Sequence, residues 1–92
     1  MAQLYKMLDL NFRIISVQPK NKKKFSLEEV QEMIGGYVEI VHLNDDDILL
    51  CDEEGRLKLL PINSMATEKA KAMGFKGDVL VGDVLFLKDN EF

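Results

Sequence analysis

Residues 35–41 have the sequence Gly35-Gly36-Tyr37-Val38-Glu39-Ile40-Val41, which marks the passage from a helix to a strand. Glycine adopts left-handed backbone angles at no steric cost, so a glycine pair is a common end for a helix. After the glycines, apolar side chains follow the two-residue period of a strand, which places Tyr37 and Glu39 on one face. The stretch therefore predicts a helix that packs against a β-sheet.

The helix before the glycines begins at a capping box. In Ser26-Leu27-Glu28-Glu29, the serine hydroxyl accepts a hydrogen bond from the first turn, and Glu29 reaches back to the serine amide. The apolar side chains that follow recur at three- and four-residue spacing; they are Leu27, Val30, Met33 and Ile34. This spacing predicts a helix from Leu27 to Ile34 with one buried stripe.

Four more strands are predicted from apolar or β-branched runs between turn residues. They span residues 11–17, 48–52, 57–60 and 78–87. Turn residues at 44–47 and at 53–55 make the middle of the chain an antiparallel meander. The last run is apolar on both faces and has one Gly-Asp break, so we expect it at the centre of the sheet, as one bulged strand or two short ones.

A second helix and an N-terminal segment complete the predicted elements. Asn63 or Ser64 caps a helix that runs to Met73, and Gly74 stops it. Residues 4–10 have apolar side chains at helical spacing but no cap, so they form either a helix or an extension that pairs with a partner chain.

The length of 92 residues allows one hydrophobic core and therefore one domain. We assign it to residues 12–92 and treat residues 1–11 as an N-terminal extension. The predicted class is α+β, with an antiparallel or mixed sheet of about five strands and both helices packed on one face. The other face would then be free, which favours a homo-oligomer, in particular a dimer.

Composition narrows the function classes. There are 16 acidic and 12 basic residues, a net charge of -4, which disfavours nucleic acid and anionic lipid as partners. A single cysteine, Cys51, cannot form an internal disulfide, which indicates a cytoplasmic protein. No apolar run is long enough for a membrane span, and the first residues do not resemble a signal peptide.

Four residues are candidates for binding a ligand or a partner. The ring of Tyr37 can stack on a base while the Glu39 carboxylate accepts hydrogen bonds from a sugar or an amine. Asn63 and Thr67, one helical turn apart, can close the same groove with an amide and a hydroxyl. The alternatives are an exposed sheet face, an ion pair of Glu39 with Arg56 or a lysine, and a capping role for Asn63.

A cluster of lysines supports a different function. Lys20, Lys22, Lys23 and Lys24 form a flexible basic loop that could attract phosphates, but a solvated loop explains them better and no aromatic residue interleaves them. Residues 44–47 lack the spacing of a calcium loop, and Gly82 alone makes no phosphate loop. We therefore expect no metal, no cofactor and no catalytic activity.

The order of elements resembles a known family. Its motifs are the helix-Gly-Gly-strand-Glu piece ending at Glu39, the Asn-x-x-Ala-Thr piece from Asn63 to Thr67, and the strand at residues 78–84. In these pieces the chain resembles a family of small uncharacterised domains encoded by bacteriophages, plasmids and other mobile elements, over residues 12 to 88. Residues 1–11 fall outside that pattern.

The resemblance implies a setting and, through it, a function. It implies a non-catalytic protein in the cytoplasm of a bacterial host that inhibits a defence system, either by binding a defence effector or by sequestering its nucleotide second messenger. The alternative is a regulatory module of the mobile element that binds nucleic acid through the lysine loop.

Overall fold

The computed structural model describes residues 2–8 and 11–92; residues 1, 9 and 10 and the side chains of Leu8 and Asn11 lie outside the described part. In chain order the elements are β1 (Ala2–Leu8), β2 (Asn11–Val17), α1 (Leu27–Ile34), β3 (Val38–His42), β4 (Asp47–Asp52), α2 (Ser64–Ala72) and β5 (Val84–Lys88), followed by a 3₁₀ turn at Asp89–Glu91. The predicted α+β class, with one sheet of five strands and two helices, is confirmed.

The five strands form one antiparallel sheet in the order β2-β1-β5-β4-β3. β5 lies at its centre, as its apolar side chains on both faces predict, and pairs with β1 on one side and β4 on the other. The preceding part of the predicted run, at Val81, forms an isolated bridge to Ile62. The expected break at Gly82-Asp83 therefore lies between the isolated bridge at Val81 and strand β5.

The N-terminal segment is a strand of this sheet. β1 lies between β2 and β5, with Leu4 opposite Leu85, and both Ala2 and Leu4 are buried. The helical interpretation of residues 4–10 is therefore wrong for the described residues 4–8, and Asp9 and Leu10 lie outside the description. Residues 2–8 also pair within their own chain, whereas the sequence had set them apart as an extension.

The two helices lie on opposite faces of the sheet. Ile48 and Leu50 of β4 pack with α1, in a cluster that also contains Leu85. Their neighbours Leu49 and Cys51 point to the other side and pack with α2. The prediction that both helices share one face is wrong, because β4 and β5 are apolar on both faces and each face needs a cover. The dimer was predicted because one face of the sheet was expected to be free, and that reason no longer holds.

Several element ends lie where local sequence signals predict them. Ser26 and Glu29 form the predicted capping box, and Gly35 ends α1 with a φ of 91°. The β3–β4 turn has a φ of 57° at Asp45 and 62° at Asp46, the pair of positive angles that a type I′ hairpin turn requires. No helix among the described residues is long and apolar enough to cross a membrane.

The strand predicted at residues 57–60 does not form. Residues 53–59 make a series of turns instead, and Leu57 and Leu59 point into solvent. The predicted meander therefore ends at β4. The contacts of Asp52 explain why.

Candidate functional site

The turns that follow β4 enclose one helical turn with a specific C-terminal cap. Lys58 N donates to Glu54 O at 3.0 Å, Leu59 N donates to Arg56 O at 3.1 Å, and Leu60 N donates to Gly55 O at 3.0 Å. The last two bonds are those of a Schellman motif, in which the residue before the final donor has left-handed angles. That residue is Leu59, with a φ of 57°. We call residues 53–60 the Schellman turn.

A buried carboxylate holds the Schellman turn in place. Asp52 is buried; its Oδ1 accepts from Glu54 N at 2.8 Å, and its Oδ2 lies 2.7 Å from Lys58 Nζ. Lys58 Nζ also donates to Gly35 O, at 3.4 Å, which ties the turn to the end of α1. Because Asp52 must be paired when it is buried, Lys58 folds back onto it and the chain cannot extend as a strand.

The second glycine of the pair at residues 35–36 is explained by this ion pair. A Cβ at Gly36 would lie 2.5 Å from Lys58 Nζ and 3.1 Å from Asp52 Oδ2. Gly35 therefore supplies the left-handed angles that end α1, whereas Gly36 leaves room for the ion pair. The two adjacent glycines are therefore required for different physical reasons.

The Schellman turn presents large apolar side chains to solvent. Leu57 is 82% exposed and Leu59 is 88% exposed. Tyr37, 66% exposed, adjoins the turn because its carbonyl oxygen accepts from Glu53 N at 2.9 Å. We call Tyr37, Leu57 and Leu59 the apolar tip. Single exposed apolar residues are ordinary on protein surfaces, but three of them on or beside one turn are a candidate for a binding surface.

Glu39 lies on the α2 face of the sheet. It is distant from Leu57 and Leu59 in the sequence, but in the fold it lies beside the Schellman turn. It is in register with Cys51 and lines a cavity of about 180 Å³ together with Arg56, whose Nη2 donates to Val79 O at 3.2 Å. Burial, aided by the negative charges of Glu39 and Asp52, raises the pKa of the Cys51 thiol to about 11. The thiol is thus protonated at neutral pH and is a poor nucleophile.

Asn63 and Thr67 are buried, and their polar atoms form hydrogen bonds with neighbouring groups of the protein. Asn63 Nδ2 donates to Tyr5 O at 3.0 Å and to Gly82 O at 2.9 Å, while its Oδ1 accepts from Ala66 N at 3.1 Å. Thr67 Oγ1 donates to Asn63 O and accepts from Leu80 N. Neither residue lines the cavity beside Glu39. The structure therefore does not bring them together with Tyr37 and Glu39 as one groove; they fix the segment around Leu80 that forms a wall of the cavity.

The lysine loop has a defined backbone, whereas the sequence suggested a flexible one. Asn21 Oδ1 accepts from Lys23 N at 2.8 Å and from Lys24 N at 3.0 Å. Lys22 N donates to Pro19 O, and Lys20 N donates to Glu29 Oε2 at 2.9 Å. Hydrogen bonds from the backbone of Ser26 and then Lys20 lower the pKa of Glu29.

All four lysine side chains of this loop are exposed. Acidic side chains accompany them: Glu29 and Glu32 line the depression next to Lys20, and Glu91 lines the one next to Lys22 and Lys23. These carboxylates oppose the attraction of a phosphate, so the loop is a weaker basic patch than its sequence indicates. Nucleic-acid binding through the loop stays a prediction.

Two further candidates from the sequence contribute no site. Among residues 2–8 and 11–92, no three His, Cys, Asp or Glu side chains are grouped so that they could hold a metal ion. Gly82, with a φ of 73°, carries the bend between the bridge at Val81 and β5.

Sequence reasoning missed Leu57 and Leu59 because it placed them in a strand. The signal available was Gly55, which lies within the Schellman turn, but nothing in the sequence shows a leucine in left-handed angles. The pairing of Lys58 with Asp52 likewise depends on the folded arrangement.

The chain was compared with protein families, with curated proteins and with solved structures. A family described as a domain of unknown function (DUF3846) matches residues 12–92. No curated protein and no solved structure matches the chain.

Proposed function

The chain belongs to the DUF3846 family of domains of unknown function, and from its geometry we propose that it is a non-catalytic binding protein that docks on another protein through its apolar tip. In the phage or mobile-element setting that the sequence resemblance implies, the partner is an effector protein of a host defence system, which the docked domain inhibits.

The observation that supports this proposal most is Leu59. Its left-handed angles cost roughly 1 kcal/mol relative to an ordinary conformation, a cost that glycine at this position of a Schellman motif avoids. Its side chain gains nothing from the core, since it is 88% exposed. Leu59 thus carries backbone strain without any burial of its side chain to offset it, and we attribute its presence to a contact made outside the chain.

Burial of the tip on a partner would give a useful free energy. Covering an exposed leucine side chain contributes about 1.5–3 kcal/mol, and Tyr37 adds an aromatic ring of the type enriched at interface hot spots. The turn beneath is held by the ion pair of Asp52 with Lys58, so little order has to be gained on binding.

The geometry around Glu39, Asn63 and Thr67 favours a protein over a nucleotide as the target. The cavity beside Glu39, of about 180 Å³, is smaller than the roughly 300–1,000 Å³ of typical small-molecule sites. Its charged side chains are two carboxylates, Glu39 and Asp78, and one cation, Arg56, so the net negative charge disfavours phosphate groups. Asn63 and Thr67, which the sequence predicts to bind a ligand or a partner in the same groove, have their polar atoms hydrogen-bonded within the protein.

The variant Leu59→Gly tests the proposal, because it separates binding from folding. Glycine relieves the left-handed strain, so we expect the free energy of unfolding to rise by about 0.5–1 kcal/mol, or roughly 2–8 °C in Tm. The same change removes an exposed leucine side chain, and capture of the partner from a lysate of host bacteria on immobilised protein should fall about tenfold or more.

Met65→Ala is the matched control, since Met65 is also an exposed apolar residue but lies on α2. It should leave capture unchanged. Equal capture by wild type and Leu59→Gly would contradict docking through the tip. A bound mass below about a thousand daltons in native mass spectrometry, retained by Leu59→Gly, would replace the protein target with a small molecule.

A further inference from the structure

The two outer strands of the sheet differ in how well their free edges are protected. β3 has five residues, and Glu39 places a charge near its middle. β2 has seven residues, no proline and only one charged side chain, Arg13. Natural sheets protect their edges with short strands, charges, prolines or bulges, because an open edge is a template for another strand. β2 is thus the less protected edge.

An apolar row accompanies the open edge of β2. Phe12 and Ile14 are in register with Met7 and Tyr5, and Tyr5 packs with the core cluster on the α2 face. Phe12 and Ile14 are 40% and 45% exposed. An added strand would cover such a row through cross-strand contacts. We propose that β2 pairs antiparallel with β2 of a second copy, so that the sheet continues across a homodimer.

The side chains of β2 select one register for this pairing. A two-fold axis normal to the sheet keeps every residue on its own face, so Arg13, Ile14 or Ile15 can lie at the axis. With Arg13 at the axis, two like charges would stand directly opposite each other, which destabilises a strand pair. With Ile15 at the axis, Phe12 would lie opposite Gln18, beyond the end of β2. Only Ile14 at the axis pairs the whole of Asn11–Val17.

This register is complementary in size and charge. Ile14 meets Ile14 of the second copy, and the large Phe12 ring lies opposite the small Ser16 of the second copy. Arg13 lies opposite Ile15 of the second copy, so no like charges are directly opposed. The apolar tip adjoins β3, at the other side of the sheet from β2, so the pairing is independent of the proposed docking function.

The oligomeric state of matched variants tests the pairing. We expect a mass of twice the chain for the wild type in a sedimentation series over protein concentration. Ile14→Arg places two like charges at the axis and should yield the mass of a single chain. Ile40→Arg is the matched control, because Ile40 has the same residue type and the same 45% exposure but lies on β3, and it should stay dimeric.

A cross-link gives a second measurement that does not depend on how well Ile14→Arg folds. Directly opposite residues of an antiparallel pair have Cα atoms about 4.5–5.5 Å apart, within the range that a disulfide spans. Oxidised Ile14→Cys should therefore run as a covalent dimer that a reducing agent separates, whereas Ile40→Cys should not. Native Cys51 is buried and does not compete.

Three results would overturn the pairing through β2. They are a single-chain mass for the wild type at every concentration, a dimer that persists in folded Ile14→Arg, and equal dissociation of both arginine variants. A failure of Ile14→Cys to cross-link would exclude the register even if the protein is a dimer.

Discussion

Replacing Asn63 by alanine should be among the most destabilising single changes in this domain. Its side chain donates to Tyr5 O and Gly82 O and accepts from Ala66 N, and Asn63 itself is fully buried. Loss of the helix cap costs about 1 kcal/mol. Two carbonyl groups left without their donor cost about 1–2 kcal/mol each. The sum is roughly 3–5 kcal/mol, a large part of the 5–15 kcal/mol typical of a whole domain.

Urea unfolding followed by far-UV circular dichroism measures this loss as a lower midpoint with an unchanged slope. Asn90→Ala is the matched control, because Asn90 is exposed, and it should change the free energy of unfolding by less than about 0.5 kcal/mol. A loss below about 1 kcal/mol in Asn63→Ala would refute the structural role and return Asn63 to the candidates for ligand binding.

Two further predictions concern the N-terminal strand and the cysteine. Removal of residues 1–11 takes away the strand between β2 and β5, so we expect no cooperative thermal unfolding transition by circular dichroism; a transition within a few degrees of the full chain would contradict this. The pKa of the Cys51 thiol is about 11 in the folded protein, above its ordinary value of 9.0, so the thiol stays protonated in the folded state between these two values. Its contribution to stability is therefore lost as the pH rises through that interval. Iodoacetamide at pH 8 should therefore label Cys51 slowly in the native state and fast in denaturant, and equal rates would show that the thiol is accessible.

Elements whose ends depend on neighbouring residues could be predicted from the sequence. The Ser26 capping box, the Asn63 cap and the turn at Asp45 each involve groups within a few residues of one another. The central position of β5 could also be predicted from the sequence, because a strand that is apolar on both faces must be covered on both. The same reasoning applied to Ile48–Cys51 of β4 would have placed the helices on opposite faces.

Elements that depend on distant partners could not be predicted. β1 has no local pattern that distinguishes a strand from a helix, and its neighbour β5 is almost the whole chain away. Residues 57–60 have the composition of a strand, but Lys58 pairs with buried Asp52 and folds the segment into turns. The candidate site was missed for the same reason, since the tip exists only because that ion pair forms.

The pairing of β1 with β5 places the first and the last strand side by side at the middle of the sheet. During synthesis, β1 leaves the ribosome long before β5 exists, and at 5–20 residues per second it waits roughly 4–16 s for that neighbour. Throughout this interval the hairpin of β1 and β2 has no sheet to join, and its apolar residues are available to chaperones or to hairpins of other nascent chains. A fold with this strand order therefore completes its core only after β5 has been synthesised, and its yield in a cell should depend on how well the early hairpin is shielded.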